Sequence, residues 1–234
     1  MCAINGFNFR NIELIKQMSE ISSSRGPDNK DFSSTEEYTV GHNRLAIIDP
    51  EKRSNQPFNF KHLILSFNGE IYNYLEIKEK LISKGYKFET TSDTEVIIKL
   101  FHFKGVDSFK DLSGIFSISI YDTKLKKLYL IRDIVGVKPL YYYYNSLSKK
   151  FIFSSLIKGI LISLEDKILN YDAIESYSNF NRNDHRETFY KKIFKLLPGE
   201  LIEVHEGNFK RSKFLNFEFN YGYDTKKLTS DIKT

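Results

Sequence analysis

Residues 116–154 read FSISIYDTKLKKLYLIRDIVGVKPLYYYYNSLSKKFIFS, and this stretch decides the fold class. Two short apolar runs, 116–121 and 128–132, lie on either side of a polar turn, which predicts a β-hairpin. Residues 140–144 and 150–154 repeat this arrangement around a second polar turn. Because a hairpin joins neighbouring antiparallel strands, the stretch predicts antiparallel sheet rather than alternating strands and helices.

The chain on both sides of this stretch extends the pattern. Further strands are predicted at 2–7, 38–48, 63–71, 201–204 and 209–214. Helical spacing of apolar residues predicts helices at 11–22, 74–83, 94–103, 156–163 and 171–179. Residues 23–34 and 49–59 are predicted loops. The helices come in groups and the strands in hairpins, so we expect an α+β fold.

Composition and charge exclude several classes of protein. The 234 residues include 20 Phe and 15 Tyr, and 41% are hydrophobic, which excludes a disordered chain and permits a large core. The formal net charge is only +5, and lysine-rich patches at 124–127 and 191–195 lie beside turns or strands. This distribution is typical of a solvated lysine surface, and we expect no nucleic-acid partner.

The sequence also predicts where the protein is found and what it does not bind. No run approaches the roughly 18 apolar residues of a membrane helix, and the first residues lack a signal-peptide pattern, so we expect no membrane partner. A single cysteine cannot form an internal disulfide, which is typical of a cytoplasmic protein. We expect no metal site and no cofactor, since neither a metal-ligand spacing nor a phosphate-binding loop occurs around the histidines or glycines; the histidines are His42, His62, His102, His185 and His205.

The position of Cys2 suggests chemistry. Removal of Met1 would leave Cys2 with a thiol and a free α-amine. An amine with a pKa of about 7.7–8.0 can act as the general base for its own side chain, so no histidine is required. The alternative is a small buried residue at the start of a strand, which is common for free cysteine.

Asn68-Gly69 lies at the end of a predicted strand and has two interpretations. Taken alone, the dipeptide favours a tight hairpin turn. The functional alternative is a pair of donors, the Asn68 side-chain amide and the Gly69 backbone N–H, which could form an oxyanion hole.

Two charged residues are candidates for substrate binding. Arg44 lies in an otherwise apolar strand region and could form an inward ion pair or receive a carboxylate through its planar guanidinium. Asp93 lies at the start of a predicted helix with the capping-box pattern Ser92-x-x-Glu95. In isolation a first-turn acid is favoured for Asp93, and a partner for a substrate ammonium is the alternative.

These signals occur in one order that resembles a known family. The chain is similar to the glutaminase domain of glutamine-dependent asparagine synthetases, a class II glutamine amidotransferase of the N-terminal nucleophile hydrolase superfamily. The resemblance covers residues 1 to about 215. Its motifs are Met1-Cys2-Ala3-Ile4, Arg25-Gly26-Pro27-Asp28, His42-Asn43-Arg44-Leu45-Ala46-Ile47-Ile48-Asp49, Asn55-Gln56-Pro57, Phe67-Asn68-Gly69-Glu70-Ile71-Tyr72-Asn73, Ser92-Asp93-Thr94-Glu95, Arg132-Asp133 followed by Gly136-x-Lys138-Pro139-Leu140-Tyr141-Tyr142, and Leu197-Pro198-Gly199.

The resemblance implies a fold and a role for each matching residue. The fold would be a four-layer αββα sandwich with two antiparallel sheets. Cys2 would attack the side-chain amide of glutamine, while Asn68 and Gly69 hold the oxyanion. Arg44 would bind the α-carboxylate, and Glu70 and Asp93 the α-ammonium. The remaining residues expected to line the glutamine site are Leu45, Ala46, Ile47 and Ile48.

The chain departs from the family pattern in several places. Ala3 stands where glycine is frequent, Leu156 where glutamate is common, and Ile134-Val135 vary within their motif. The Ser-Gly-Gly-Leu-Asp-Ser phosphate loop of a synthetase domain does not occur before Thr234. We therefore expect an amidotransferase domain at 1–215, a polar tail at 216–234 and no synthetase domain.

The missing motif has two explanations: the chain is a stand-alone or truncated glutaminase, or a separate chain supplies the synthetase. We expect an ATP-dependent synthetase on another chain, which would use ATP and Mg²⁺ and take the ammonia. The acceptor could be aspartate or a sugar carboxylate. The alternative from another class is a non-catalytic glutamine-binding or scaffold module of the same fold.

Overall fold

The computed structural model describes residues 1–180 and 186–215, which form an α+β fold. The strands are β1 (Ala3–Phe7), β2 (Asn29–Ser34), β3 (Thr39–Arg44), β4 (Phe58–Phe60), β5 (Leu63–Ile71), β6 (Gly114–Asp122), β7 (Lys127–Arg132), β8 (Tyr141–Asn145), β9 (Lys150–Ser154), β10 (Ile193–Lys195), β11 (Glu200–His205) and β12 (Asn208–Lys213). The helices are α1 (Ile12–Ile21), α2 (Tyr74–Ser83), α3 (Asp93–Lys104), α4 (Ile157–Leu161) and α5 (Tyr171–Phe180). The predicted tail at 216–234 lies outside the described residues.

The strands form two six-stranded sheets in which every neighbouring pair is antiparallel. The first sheet has the order β10-β8-β9-β1-β3-β2, and the second has the order β12-β11-β7-β6-β5-β4. The predicted hairpins β6–β7, β8–β9 and β11–β12 are confirmed. Strands β1 and β5 lie inside their sheets, so both are held on two sides.

The two sheets pack face to face and helices cover their outer faces. Between the sheets lies an apolar core in which Tyr38 of the first sheet region stacks on Tyr121 of the second, with ring centroids 4.2 Å apart. Helices α1 and α4 pack on the first sheet through Ile15 and Ile160, and α2 and α3 pack on the second. The predicted four-layer αββα sandwich is therefore confirmed.

Alternation along β5 explains why the second sheet can be covered on both faces. Leu63, Leu65 and Phe67 pack with α2 and α3, while Ile64 packs in the core between the sheets. Successive side chains of a strand point to opposite faces, so one strand serves two cores. The same alternation directs Ser66 and Asn68 toward the first sheet.

Three local predictions were wrong. The predicted loop at 23–34 contains β2, an edge strand that pairs with β3. The predicted loop at 49–59 runs into β4 at Phe58. The strand predicted at 38–48 ends at Arg44, and a loop follows. Polar edge strands such as β2 lack the alternating apolar pattern because they bury few side chains.

The Asn68-Gly69 turn favoured by the local sequence does not form. Both residues lie inside β5, where Asn68 is opposite Ser117 and Gly69 is opposite Phe116 of β6. Pairing with β6 along the whole of β5 therefore overrides the local turn signal.

The helix ends agree with the predicted caps in part. The Asn11 side chain accepts a hydrogen bond from the Leu14 N–H at 2.9 Å and caps α1. The Ser92 hydroxyl accepts from the Thr94 N–H at 3.1 Å and caps α3. Glu95 does not complete a capping box, because its carboxylate accepts bonds from Thr90 and from Lys99. None of the helices in the described ranges is long and apolar enough to cross a membrane.

Candidate active site

A pocket of about 130 Å³ opens where β1, β3 and β5 approach the start of α3. Its lining residues are Met1, Cys2, Arg44, Leu45, Ile47, Ile48, Ser54, Gln56, Phe67, Asn68, Gly69, Glu70, Ser92, Asp93, Thr94 and Lys138. Every residue predicted for the glutamine site is among them except Ala46. The Ala46 N–H donates to Asp28 Oδ2 at 2.7 Å and so braces the loop, and the place of Ala46 in the glutamine site stays a prediction.

Cys2 lies immediately before β1, and the start of that strand holds it in place. Its Sγ accepts a hydrogen bond from the Leu45 N–H at 3.3 Å, and Arg25 Nε donates to the Cys2 carbonyl at 3.1 Å. Burial raises the pKa of the Cys2 thiol, while the Leu45 N–H and the charges of the chain terminus, Arg44 and Lys138 counteract part of this rise. The thiol is therefore anchored at the pocket with positive charge around it.

Arg44 is 4% exposed and ends β3. Its two terminal nitrogens donate to four oxygens, namely Ile48 O, Asp49 O, Glu51 O and Asn55 Oδ1. A guanidinium has five N–H donors, so only the Nε–H takes no part in these bonds. The structure thus places Arg44 in the pocket wall, where it also holds the loop at 45–55 in place.

Asn68 and Gly69 form the opposite wall on β5. Asn68 is 1% exposed, and its side-chain Nδ2 has no hydrogen-bond partner within residues 1–180 and 186–215. A Cβ at Gly69 would lie 2.2 Å from the Ile115 carbonyl oxygen, so only glycine fits against β6 here. The pocket therefore contains a buried amide donor without an acceptor in the described part of the chain, beside the Gly69 backbone, which packs closely against β6.

Asp93 is the first residue of α3 and is 4% exposed. Its Oδ2 accepts a hydrogen bond from the Ile71 N–H at 3.2 Å. Burial raises the pKa of Asp93 to about 6, and the charge of Glu70 also raises it, against the opposing effect of the Ile71 and Thr94 N–H groups. Asp93 is thus both a first-turn acid and a buried pocket carboxylate that a positively charged ligand would favour in its ionised form.

Lys138 enters the pocket on a loop that Asp133 organises. The fully buried Asp133 carboxylate accepts hydrogen bonds from five backbone N–H groups, those of Phe116, Val135, Gly136, Val137 and Lys138. Arg132 Nε donates to the Lys138 carbonyl at 2.8 Å from the other side. Sequence reasoning missed Lys138 as a site residue, although the Arg132-Asp133 to Lys138 motif marked its segment.

Gln56 was also missed, and it links two walls of the pocket. Its Oε1 accepts a hydrogen bond from the Phe67 N–H at 2.6 Å, and its Nε2 donates to Thr94 Oγ1 at 3.2 Å. The side chain therefore ties β5 to the first turn of α3. The signal in the sequence was its place in the Asn55-Gln56-Pro57 motif.

The arrangement suits a small zwitterion. Arg44 and Lys138 carry positive charge, Glu70 and Asp93 carry negative charge, and the thiol of Cys2 shares their pocket. In the part of the chain that the structure describes, no three His, Cys, Asp or Glu side chains are placed to bind a metal ion; His185 lies outside that part. The departures at Ala3, Ile134, Val135 and Leu156 do not line the pocket.

Comparison with known proteins gives a consistent picture. Residues 1–215 match the model of the glutamine amidotransferase domain family. A putative glutamine-hydrolysing asparagine synthetase of Methanocaldococcus jannaschii is 34% identical over 100% of this chain and 50% of its own length. An asparagine synthetase of Bacillus subtilis is 35% identical over 82% of this chain and 30% of its own length.

These relatives are longer than the chain, which spans half of their length or less. Among solved structures, the glutamine phosphoribosylpyrophosphate amidotransferase of Bacillus subtilis matches 92% of this chain and 49% of its own. Its TM-score is 0.65 at 17% sequence identity, which shows a shared fold.

Proposed function

The chain belongs to the glutamine amidotransferase domain family, and we propose that it hydrolyses the side-chain amide of glutamine to glutamate and ammonia. The observation that carries the proposal is the pocket itself, in which the Cys2 thiol and the unpartnered Asn68 amide occur together. A nucleophile and an unused hydrogen-bond donor in one pocket are what acyl transfer requires.

The first half-reaction forms a thioester. Cys2 Sγ attacks the amide carbon, and its proton passes to the α-amine of Cys2. The negative charge develops on the amide oxygen, where the Asn68 amide and the Gly69 backbone N–H stabilise it. The carbon–nitrogen bond then breaks, the α-amine returns a proton to the departing nitrogen, and ammonia leaves.

The second half-reaction releases glutamate. Water adds to the thioester carbon with the α-amine as base, and the carbon–sulfur bond breaks to restore the thiol. Asp93 and Glu70 bind the α-ammonium of the substrate, while Arg44 binds the α-carboxylate. The terminal N–H groups of Arg44 already hold the 45–55 loop. We therefore assign the α-carboxylate to the remaining Nε–H of Arg44 and to electrostatic attraction by the guanidinium charge.

The α-amine exists only after Met1 is removed, because in the full chain that nitrogen is an amide. Met1 lines the pocket, so its removal would also clear space for glutamine. The test is a glutaminase assay on material of known intact mass. We expect ammonia release only from protein that begins at Cys2, and alkylation of Cys2 by a diazoketone glutamine analogue. Full activity in protein that retains Met1 would contradict the amine as base.

The ammonia needs an acceptor, and we propose an ATP-dependent synthetase on another chain, where ATP and Mg²⁺ would act. The relatives are named asparagine synthetases, which favours aspartate over a sugar carboxylate. We place the reaction in the cytoplasm, where the thiol stays reduced. Pull-down from native extract, followed by asparagine and amidated-sugar assays of the partner, tests the proposal; full activity of an isolated monomer opposes it.

A non-catalytic module of the same fold is the second candidate function. Such a module would bind glutamine and would not need the Cys2 thiol. Isothermal titration separates the two: the module binds glutamine without releasing ammonia, whereas the proposed enzyme consumes it.

A further inference from the structure

A layer of buried polar side chains lies between the sheets on the inner side of the pocket. His42 on β3 is opposite Ile4 on β1, and its Nε2 is 3.0 Å from the Phe67 carbonyl oxygen of β5. This contact places the imidazole beside the two β5 residues that flank Phe67, namely Ser66 and Asn68. Asn68 is in turn opposite Ser117 of β6. The register and this contact thus place four polar side chains from three strands on the facing sides of the two sheets.

Each of these four side chains has an atom that makes no hydrogen bond with any described residue. The atoms are His42 Nδ1, Ser66 Oγ, Asn68 Nδ2 and Ser117 Oγ, all unpaired within the described ranges. Their residues are at most 1% exposed. More than about 90% of buried polar groups in proteins have a partner, and leaving one unpaired destabilises the folded state. Four such atoms in one layer therefore point to a bound molecule that satisfies them.

The hydrogen-bonding types of the four atoms are complementary. Burial lowers the pKa of His42 to about 3, so its ring is neutral at working pH. The Phe67 carbonyl can only accept, so the imidazole proton is on Nε2 and Nδ1 is an acceptor. Asn68 Nδ2 is a donor, and the two serine hydroxyls can do either. A small molecule that both donates and accepts is required, and water is that molecule.

We infer that about one or two ordered water molecules occupy this layer and position the Asn68 amide for catalysis. They accept one N–H of Asn68 Nδ2 and are held by His42 Nδ1 and the hydroxyls of Ser66 and Ser117. The second N–H of the amide is then directed into the pocket. Ser117 is thus a positioning residue that acts on the oxyanion through water and Asn68, an effect that rests on the proposed function.

Ser117→Ala and Ser119→Ala form a matched pair for the test. Both serines lie on β6 and are fully buried, but the Ser119 hydroxyl already pairs with Tyr38 OH at 3.1 Å. We expect Ser117→Ala to lower kcat about tenfold with KM for glutamine unchanged, because the oxyanion forms only in the transition state. Ser119→Ala should stay within about twofold, and Ser117→Thr, which keeps a hydroxyl, should retain kcat.

A double-mutant cycle tests whether Ser117 acts through Asn68. In an Asn68→Ala background, Ser117→Ala should have no further effect on kcat. Independent, multiplying losses would overturn the inference, and so would equal losses of kcat in Ser117→Ala and Ser119→Ala.

A high-resolution crystal structure of the unmutated chain provides a measurement that does not depend on activity or on the folding of a variant. We expect water density within hydrogen-bond distance of His42 Nδ1 and Ser117 Oγ. A dry layer would overturn the inference even in an active enzyme. Water density in a protein that releases no ammonia from glutamine would support the hydrated layer and instead refute the proposed function.

Discussion

The two sheets contribute to the pocket in different ways. On the side of the first sheet, Cys2 Sγ accepts a hydrogen bond from the Leu45 backbone N–H. Arg44 donates hydrogen bonds to four oxygens of the loop that follows it. On the second sheet, Asn68 Nδ2 has no acceptor among the described residues, and next to it Asp93 is held with a raised pKa. Groups that are hydrogen-bonded within the protein fix the shape of the pocket, and the Asn68 amide, unpaired among the described residues, offers a donor that a substrate can use.

Two loops beside the pocket are each held in place by a buried charged side chain. Arg44 donates to oxygens of the 45–55 loop, and Asp133 accepts N–H groups of the 133–138 loop. A buried cation organises carbonyls and a buried anion organises amides, because each needs partners of the opposite type. Neither loop requires an apolar core of its own to keep one shape.

Replacing Cys2 should have the largest effect on activity. We expect Cys2→Ala to reduce ammonia release from glutamine by about 10⁴-fold or more, because no other group can form the thioester. Cys2→Ser should be nearly as inactive, since an alkoxide is much harder to form than a thiolate. Thermal unfolding of both variants should match the parent, because among residues 1–180 and 186–215 the Sγ hydrogen-bonds only to Leu45. Ammonia release retained by Cys2→Ala would refute the role of the first sheet.

Asn68→Ala should have the next largest effect. Removal of one oxyanion donor typically lowers kcat by about 10²–10³-fold, and KM should change little. Asn73→Ala is a suitable control, because its amide is exposed and bonds Asp111 and Ser113 away from the pocket. Equal kcat values for the two variants would mean that the unpartnered amide has no catalytic role.

Arg44→Ala should damage binding and stability together. Losing a buried charged partner costs about 2–5 kcal/mol, so kcat/KM should fall about 30-fold or more. The loop oxygens also lose their donors, so the free energy of unfolding should fall in the same variant. Steady-state kinetics and urea unfolding check the two effects. A fall in stability with unchanged kcat/KM would make Arg44 a loop organiser only.

Asp93→Asn should weaken substrate binding without lowering stability, whereas Arg44→Ala lowers both. We expect kcat/KM to fall about 30-fold, because the α-ammonium loses its anionic partner. The parent enzyme should lose kcat/KM as the pH falls through about 6, where Asp93 is protonated, and the variant should lack this acid limb. Assays from pH 5 to 8 in both proteins check this, and an acid limb that persists in the variant belongs to another group.

The same variant should be more stable than the parent at neutral pH. A folded-state pKa of about 6, above the unfolded value, means that the folded state loses stability as the pH rises from about 4 to about 6. Asn cannot ionise, so Asp93→Asn should gain about 2–3 kcal/mol at pH 7 and little at pH 4. Urea unfolding at both pH values measures this difference. An equal change in the free energy of unfolding at pH 4 and pH 7 would contradict a raised pKa of Asp93.

Lys138→Met should have the smallest effect. Its charge lowers the pKa of the Cys2 thiol, so its loss should raise that pKa further. The rate of Cys2 alkylation as a function of pH gives this value directly. Lys16→Met, on the exposed face of α1, is the matched control and should leave the alkylation profile unchanged.

Prediction from sequence succeeded where a pattern reports on burial. The strands of β6 to β9 were predicted because their apolar residues fill two faces of a sheet, and a strand pattern depends on little else. β2 was missed because an edge strand buries few side chains, and Lys138 because a lone lysine has no pattern. The Asn68-Gly69 turn was wrong because pairing with β6 outweighs a local dipeptide preference.

The pattern of hairpins and helices was enough to predict the α+β class, because it depends on local residue spacing. The resemblance carried by the order of the motifs was what grouped Cys2, Arg44, Asn68, Gly69 and Asp93 into one candidate site. Only the tertiary structure decided which atoms of these residues already form hydrogen bonds within the protein. Arg44 Nη1 and Nη2 find acceptors in the 45–55 loop, and Asn68 Nδ2 finds none among residues 1–180 and 186–215. Hydrogen bonds act over about 3 Å, a distance set by how the two sheets and α3 pack.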